Sequence, residues 1–118
     1  MIVGIVSCCK RKMTVRARAR HLYLGKSFQD AARHVEKNCA AWVILSGKYG
    51  IVYPDNILDP YDFDLRKQSK SYIEEWAADV NHKLRMRFPG ATFLIAASQP
   101  YLKALKGLQY EILFRRTG

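Results

Sequence analysis

The apolar run from Ala41 to Leu45 stops abruptly at Ser46-Gly47-Lys48-Tyr49-Gly50, and this break constrains the fold more than any other stretch. A continuous apolar run bounded by turn residues reads as a strand buried on both faces. Such strands belong to parallel sheets, and α/β proteins bind ligands just beyond the carboxyl ends of those strands. The sequence therefore locates a site before it says anything about chemistry. A long polar segment follows, Gly47 to Gln68, stiffened by Pro54 and Pro60 and carrying Asp55, Asp59, Asp62 and Asp64. A loop of that length inside a small domain is uncommon and usually functional. Its apolar residues, among them Tyr49, Tyr53, Leu58, Tyr61, Phe63 and Leu65, give it surface enough to pack down.

Similar runs flank it. Ile2 to Val6 is a short β-branched stretch ending at Ser7, and Thr92 to Ala97 is another ending at Ser98. Gly4 inside the first predicts close approach by a neighbour. Tyr110 to Phe114 alternates more and fits an edge strand. Between the strands, Phe28, Ala31, Ala32, Val35 and Cys39 recur at helical spacing behind Ser27 as N-cap. A second helical stripe, Ile73, Trp76, Ala77, Val80, Leu84 and Phe88, follows a capping box of Ser71 and Glu74 and stops at Pro89-Gly90. Pro100, behind a Ser98 or Gln99 cap, opens a short third helix that Gly107 closes. The expected order is β-α-β-loop-α-β-α-β. That is one three-layer, Rossmann-like α/β domain over residues 1–118, with a mainly parallel four-stranded sheet.

The formal net charge of +10 on 118 residues is the strongest global statement. It fits a polyanionic partner, most simply nucleic acid or a nucleotide, with DNA preferred over RNA. The basic segment Cys8 to Arg20 concentrates that charge. Arg11, Arg16, Arg18 and Arg20 in an extended arm could lie along a phosphate backbone. The competing reading is a solvated charge run. No apolar run approaches a membrane span, and no charged region precedes the first strand as in a secretory signal. The three cysteines, Cys8, Cys9 and Cys39, show no zinc-binding spacing, and a cytoplasmic setting is expected. Phosphate-loop and dinucleotide fingerprints and paired metal-binding histidines are missing, so no cofactor is expected and no residue is assigned as a metal ligand.

In a parallel sheet Ser7, Ser46 and Ser98 would share the carboxyl edge. Their hydroxyls suit a phosphate or the edge of a base, although serine is also a common cap, the reading preferred for Ser98. Lys10, Lys12 and Lys48 could bring positive charge to the same edge. Of the loop aspartates, one could act as a general base or stabilise a cationic transition state, with Asp62 the candidate. Alternatively they cap turns beside Pro54 and Pro60 or pair with the arginines of residues 11–20. Tyr49, Tyr53 and Tyr61 could stack on a base or form the packed underside of the loop. Cys8 or Cys9 could be a nucleophile, but no histidine or acid can be assigned beside either. His21, His34 and His82 are scattered and fit surface or packing positions.

Several of these pieces occur together: Ser7-Cys8-Cys9-Lys10-Arg11-Lys12, Ala19 to Leu22-Tyr23, Trp42 to Val52 with Ser46-Gly47-Lys48-Tyr49-Gly50, and Pro60-Tyr61-Asp62. The combination resembles the DUF6884-type proteins, themselves similar to part of the peroxide-stress protein YaaA. The resemblance is good over roughly residues 2–65 and departs at Cys9, where a small or hydroxyl residue is commoner. It implies an α/β fold and an association with DNA or nucleobase chemistry, including glycosylase-like chemistry. The positions it carries over are Ser7, Lys10, Lys12, Tyr23, Ser46, Lys48, Tyr49, Gly50, Tyr61 and Asp62.

The leading expectation is a nucleic-acid- or nucleotide-binding domain whose chemistry, if any, falls on a base or an N-glycosidic bond. Lys10, Lys12 and Lys48 would hold phosphate, Ser7 and Ser46 would orient the substrate, and Asp62 would be the acid/base, with Ser46 and Lys48 beside it as further catalytic candidates. The rivals are a non-enzymatic DNA-binding or stress-related accessory protein and a protein-binding module.

Overall fold

The apolar runs that read as doubly buried strands do occupy the middle of the sheet. The computed structural model describes residues 1–115, and the side chains of residues 1–114. In chain order the elements are β1 (Ile2–Ser7), β2 (Ala17–Arg18), α1 (Ala19–Leu22), α2 (Lys26–Asn38), β3 (Ala41–Ser46), β4 (Gly50–Val52), β5 (Ile57–Leu58), α3 (Lys70–Arg87), β6 (Thr92–Ala97) and β7 (Tyr110–Arg115). Short 3₁₀ turns form at Leu65–Lys67 and Tyr101–Leu105.

The main sheet has five strands in the order β4-β3-β1-β6-β7. Strands β3, β1, β6 and β7 are mutually parallel, and β4 runs antiparallel to β3 at the edge. A second sheet pairs only β2 with β5. The helix α2 packs on β1, β3 and β6 through Phe28, Ala31, Ala32 and Val35, all fully buried. Gly4 is needed there. A Cβ at Gly4 would lie 2.6 Å from Val35 Cβ, so α2 sits closer to β1 than any side chain would allow. The helix α3 packs against β4 and the Tyr101–Leu105 turn, burying Trp76, Ala77, Val80 and Leu84.

Several expectations need correction. The sheet has five strands rather than four, because the segment after Ser46 turns back at once as β4 instead of remaining a loop. The turn is made possible by Gly50, whose φ of +73° is open to glycine at little cost, and it pairs Gly50 with Ser46. The arm after Cys9 is not continuously extended. Only Ala17–Arg18 pairs as a strand, and Arg20 lies in α1. Ser27 is inside α2, whose N-cap is Gly25 with no side-chain cap. Ser69, not Ser71, caps α3 by accepting from the Tyr72 N–H. The third helix is a 3₁₀ turn with Pro100 at its cap position, and Ser98 does not cap it. Among the described helices, none is long and apolar enough to cross a membrane.

Candidate functional site

Strands β1, β3 and β6 are parallel neighbours, so Ser7, Ser46 and Ser98 do lie along one carboxyl edge. Setting the tyrosines and cysteines aside, they are also the buried polar residues among the described part of the chain. Burying a hydroxyl is unfavourable unless it finds partners. The three serines meet that demand differently. Ser98 Oγ has no hydrogen-bond partner among the described residues. Ser46 Oγ is bonded on every side. It accepts from the N–H groups of Lys48 (3.2 Å) and Tyr49 (3.1 Å), which closes the β3–β4 turn, and it lies 2.8 Å from the Tyr61 hydroxyl.

A hydroxyl oxygen has two acceptor sites. Both of Ser46's are taken by backbone N–H groups, so Ser46 donates to Tyr61. Tyr61 in turn lies 2.6 Å from the Tyr23 hydroxyl and donates to it. The result is a one-way chain, Ser46 to Tyr61 to Tyr23, from the end of β3 to the residue after α1. Burial, first of all, pushes the phenols of Tyr61 and Tyr23 well above the ordinary tyrosine value, so both stay neutral. Trp76 Nε1–H donates to the Ser46 carbonyl (2.9 Å) and the Tyr72 hydroxyl to the Gly47 carbonyl (2.8 Å), tying the same turn to α3. Gly47 admits no side chain, because a Cβ there would stand 2.8 Å from Leu65 Cβ. The long segment after β4 is thereby folded back over the strand ends.

Folding back closes a cavity of about 90 Å³ between the end of β1, the segment after Tyr61 and the turn after β6. The chain leaves β1 toward β3 on one side and later enters β6 on the other, so this is the point where strand order reverses. Cys8 and Tyr101 lie in the cavity wall, Sγ and hydroxyl 3.3 Å apart. Burial also raises the Tyr101 phenol above its ordinary value. Lys10, Lys12, Arg66 and Lys67 supply positive charge, and Asp62 and Asp64 supply carboxylates. Asp64 is occupied. It accepts from the Arg66 N–H and guanidinium, which holds its carboxyl below the usual range. Asp59 is held by Arg16 and Asp55 lies 4.0 Å from Arg18. Asp62 differs from the other three loop aspartates, having no hydrogen bond or ion pair among the described residues.

A profile for a family of unknown function, DUF6884, matches residues 3–114. The chain belongs to the DUF6884 family. The match extends well beyond the stretch in which the motifs are legible by eye. No curated protein and no solved structure matches this family member.

The structure of this DUF6884 protein brings together some of the expected residues and separates others. Lys10, Lys12 and Asp62 share the cavity. Lys12 also joins the cavity to the tyrosine chain, its Nζ 4.4 Å from the Tyr61 ring centroid and 5.7 Å from that of Tyr23. Residues 11–13 are pinned to residues 22–24 by Met13 N–H to Leu22 O and Leu24 N–H to Arg11 O, both 2.9 Å, which fixes Lys12 there. Lys48, Tyr49 and Gly50 lie on the other side of Tyr61, in a groove of about 260 Å³ shared with Tyr72, Glu75, Trp76 and Asp79. Lys48 Nζ reaches to 5.2 Å from the Tyr49 centroid and 5.8 Å from that of Tyr61. Ser7 is buried at the end of β1. Tyr53 is elsewhere, with its hydroxyl accepting from Arg87 (2.6 Å).

The arginines do not form one free basic face. Arg16 is bidentate to Asp59, and Arg20 donates to Glu36 and Gln29, both at 2.7 Å. Arg11 and Arg18 are exposed, as are His21, His34 and His82. Cys9 holds the loop, donating to the Arg11 carbonyl (3.3 Å) and accepting from Gly25 N–H (3.4 Å). Sequence reasoning missed Phe63, Arg66, Lys67 and Tyr101. Arg66 and Lys67 follow the aspartate-rich segment directly, and a 3₁₀ turn capped by Asp64 was the signal for their placement. No sequence pattern announced Tyr101, which reaches Cys8 across 93 positions. Among the described residues no three His, Cys, Asp or Glu side chains gather as metal ligands would.

Proposed function

We propose that this protein binds a phosphate-bearing nucleic-acid ligand at the carboxyl edge of its sheet and acts there on a base or an N-glycosidic bond. One observation carries the reading: four cations and an unpaired carboxylate, Asp62, surround a single cavity where the strand order reverses. The excess of positive charge over the whole chain supports a polyanion rather than a small neutral substrate. The reading takes the domain as a three-layer, Rossmann-like unit with α2 and α3 on opposite faces. It also includes the suspected kinship with YaaA.

The roles follow from the geometry. Lys10, Lys12 and Lys67 hold the phosphate by charge-assisted hydrogen bonds, and Arg66, engaged with Asp64, adds its charge to the cavity wall. Asp62 accepts a proton from the water that attacks the sugar carbon while the base leaves with the electron pair of the C–N bond and takes a proton from solvent, or Asp62 faces the positive charge that develops on the sugar as that bond breaks. Ser46 is better assigned to orienting Tyr61 than to attack, since its oxygen is already fully engaged. Lys48 stands outside the cavity and serves the approach of the strand.

Two variants test the proposal in one assay, with oligonucleotide binding and base release both measured. Lys10→Ala with Lys12→Ala should weaken binding about a hundred-fold, as loss of charged hydrogen bonds does. Asp62→Asn should bind normally and release no base. Undiminished affinity in the lysine variant would sink the binding site. Binding by the wild type without any base release would leave a binding module and remove the enzymatic part.

A further inference from the structure

Resting on the nucleic-acid reading above, we infer that the ligand is an unpaired nucleotide of a single strand, its phosphate in the Lys10–Lys12 cavity and its base beside Tyr49. The cavity is ringed with cations, Lys10, Lys12, Arg66 and Lys67, which suits a phosphate group. An exposed aromatic ring, Tyr49, lies against Tyr61 in a separate groove and is the surface we assign to the base. The Lys12 ammonium is 4.4 Å from the Tyr61 centroid, and the Tyr61 and Tyr49 centroids are 5.1 Å apart. One aromatic ring, Tyr61, thus contacts both the Lys12 ammonium and Tyr49.

Tyr49 is 45% exposed, so part of its ring is open to solvent. It meets Tyr61 at 79°, so the two rings are not stacked on each other. Base–aromatic stacking is the sequence-tolerant way to hold an unstacked base. The groove that Tyr49 lines carries one cation, Lys48, against the cavity's four, and its carboxylates are Glu75 and Asp79. Asp79 is paired with Lys83 at 2.9 Å, whereas Glu75 has no ion pair among the described residues. The Glu75 carboxylate can accept from the amino and imino N–H groups on base edges. The polarity of the two sites thus orients the nucleotide.

A duplex fits this surface poorly. Its bases are stacked inside and offer no face to Tyr49. Two of the four arginines in the arm that would follow a duplex backbone are engaged, Arg16 with Asp59 and Arg20 with Glu36.

The test measures the binding of a labelled mixed-sequence DNA strand, its RNA counterpart and the corresponding DNA duplex by fluorescence anisotropy. Both single strands should bind at least about ten-fold more tightly than the duplex. Tyr49→Ala should remove most of that preference, and Tyr49→Phe should restore it. Duplex binding as tight as single-strand binding overturns the inference, as does a Tyr49→Ala loss that is equal for strand and duplex. These outcomes leave the nucleic-acid reading intact provided that Lys10→Ala with Lys12→Ala still weakens the duplex. Failure of the wild type to bind any of the three probes overturns the nucleic-acid reading as well.

Discussion

Ser46, Tyr61 and Tyr23 sit against Lys10, Lys12 and Asp62, with Lys12 only 4.4 Å from the Tyr61 ring, yet the two groups are built in opposite ways. In the first group the hydroxyls are locked into a directed chain under the folded-back segment. In the second, Lys10 and Asp62 are exposed, and Asp62 has no partner among the described residues. A buried polar network left half satisfied is costly, so every member of the inner group is tied to the others. Exposed charges have no such constraint and are free to meet a ligand. Motif residues that look alike in a sequence therefore divide into those that build the wall and those that face the cavity.

The largest expected effect falls on the inner group. Tyr23 is fully buried, packs against Phe28 with centroids 5.1 Å apart, and accepts the last hydrogen bond of the chain. Tyr23→Ala should lower unfolding free energy by about 3–5 kcal/mol, as truncations of large buried aromatics do. Urea denaturation reads this directly. Lys10→Ala, on the outer side, should stay within about 0.5 kcal/mol of wild type. Equal losses in the two variants would erase the distinction between wall and face.

Alkaline pH probes the same contrast. Burial raises the Tyr23, Tyr61 and Tyr101 phenols above the ordinary value of about 10. The folded state therefore keeps protons that the unfolded chain loses above pH 10. Stability is unaffected below that pH and declines above it, by up to about 1.4 kcal/mol per pH unit for each phenol. Tyr101→Phe should flatten the decline by one such increment, read from denaturation midpoints at pH 9 to 11. An unchanged slope would mean that Tyr101 ionises as freely folded as unfolded.

A smaller effect is expected at the junction. Ser46→Ala removes the turn-closing acceptor and the donor to Tyr61, and about 1–2 kcal/mol should be lost. Combined with Tyr61→Phe, the loss should be smaller than the sum of the two single losses, because both variants break the same bond. Strict additivity in that cycle would show that the chain does not act as a unit.

Much of this was legible in the sequence because it depends on local pattern. The runs ending at Ser7, Ser46 and Ser98 gave the parallel strands and their shared edge, and the stripes from Phe28 and Trp76 gave the helices. The β3–β4 turn was hidden because the strand it starts is only three residues long, Gly50–Val52, too short for periodicity to register. The β2–β5 pairing, Ala17 with Leu58 and Arg18 with Ile57, is shorter still and joins segments far apart in the chain. The site was legible in part. Lys10, Lys12 and Asp62 are named by their motifs, but the bonding that separates Ser46 from Asp62 in role exists only once the segment after β4 has folded back. Tyr101 joins the cavity by long-range packing, which no spacing rule encodes.

The smallest effect is expected in the arm, and it sharpens the contrast from the outside. Arg16 and Asp59 raise and lower one another's pKa through a bidentate pair, yet their side chains are 67% and 66% exposed. Water and salt screen such a pair, so its geometry says little about stability. Because the Asp59 carboxyl is held below its ordinary value, any contribution is present at neutral pH and fades as the pH falls through that lowered value. Arg16→Ala with Arg18→Ala should leave the denaturation midpoint where it is and change oligonucleotide affinity less than about two-fold, while the lysine variant loses affinity steeply. The slope of log affinity against log salt separates the two regions further. It should drop by about 0.7 for each single-strand phosphate that Lys10 and Lys12 no longer neutralise, and stay constant when Arg16 and Arg18 are replaced. A slope that falls with the arginines and not with the lysines would transfer the binding face from the cavity to the arm.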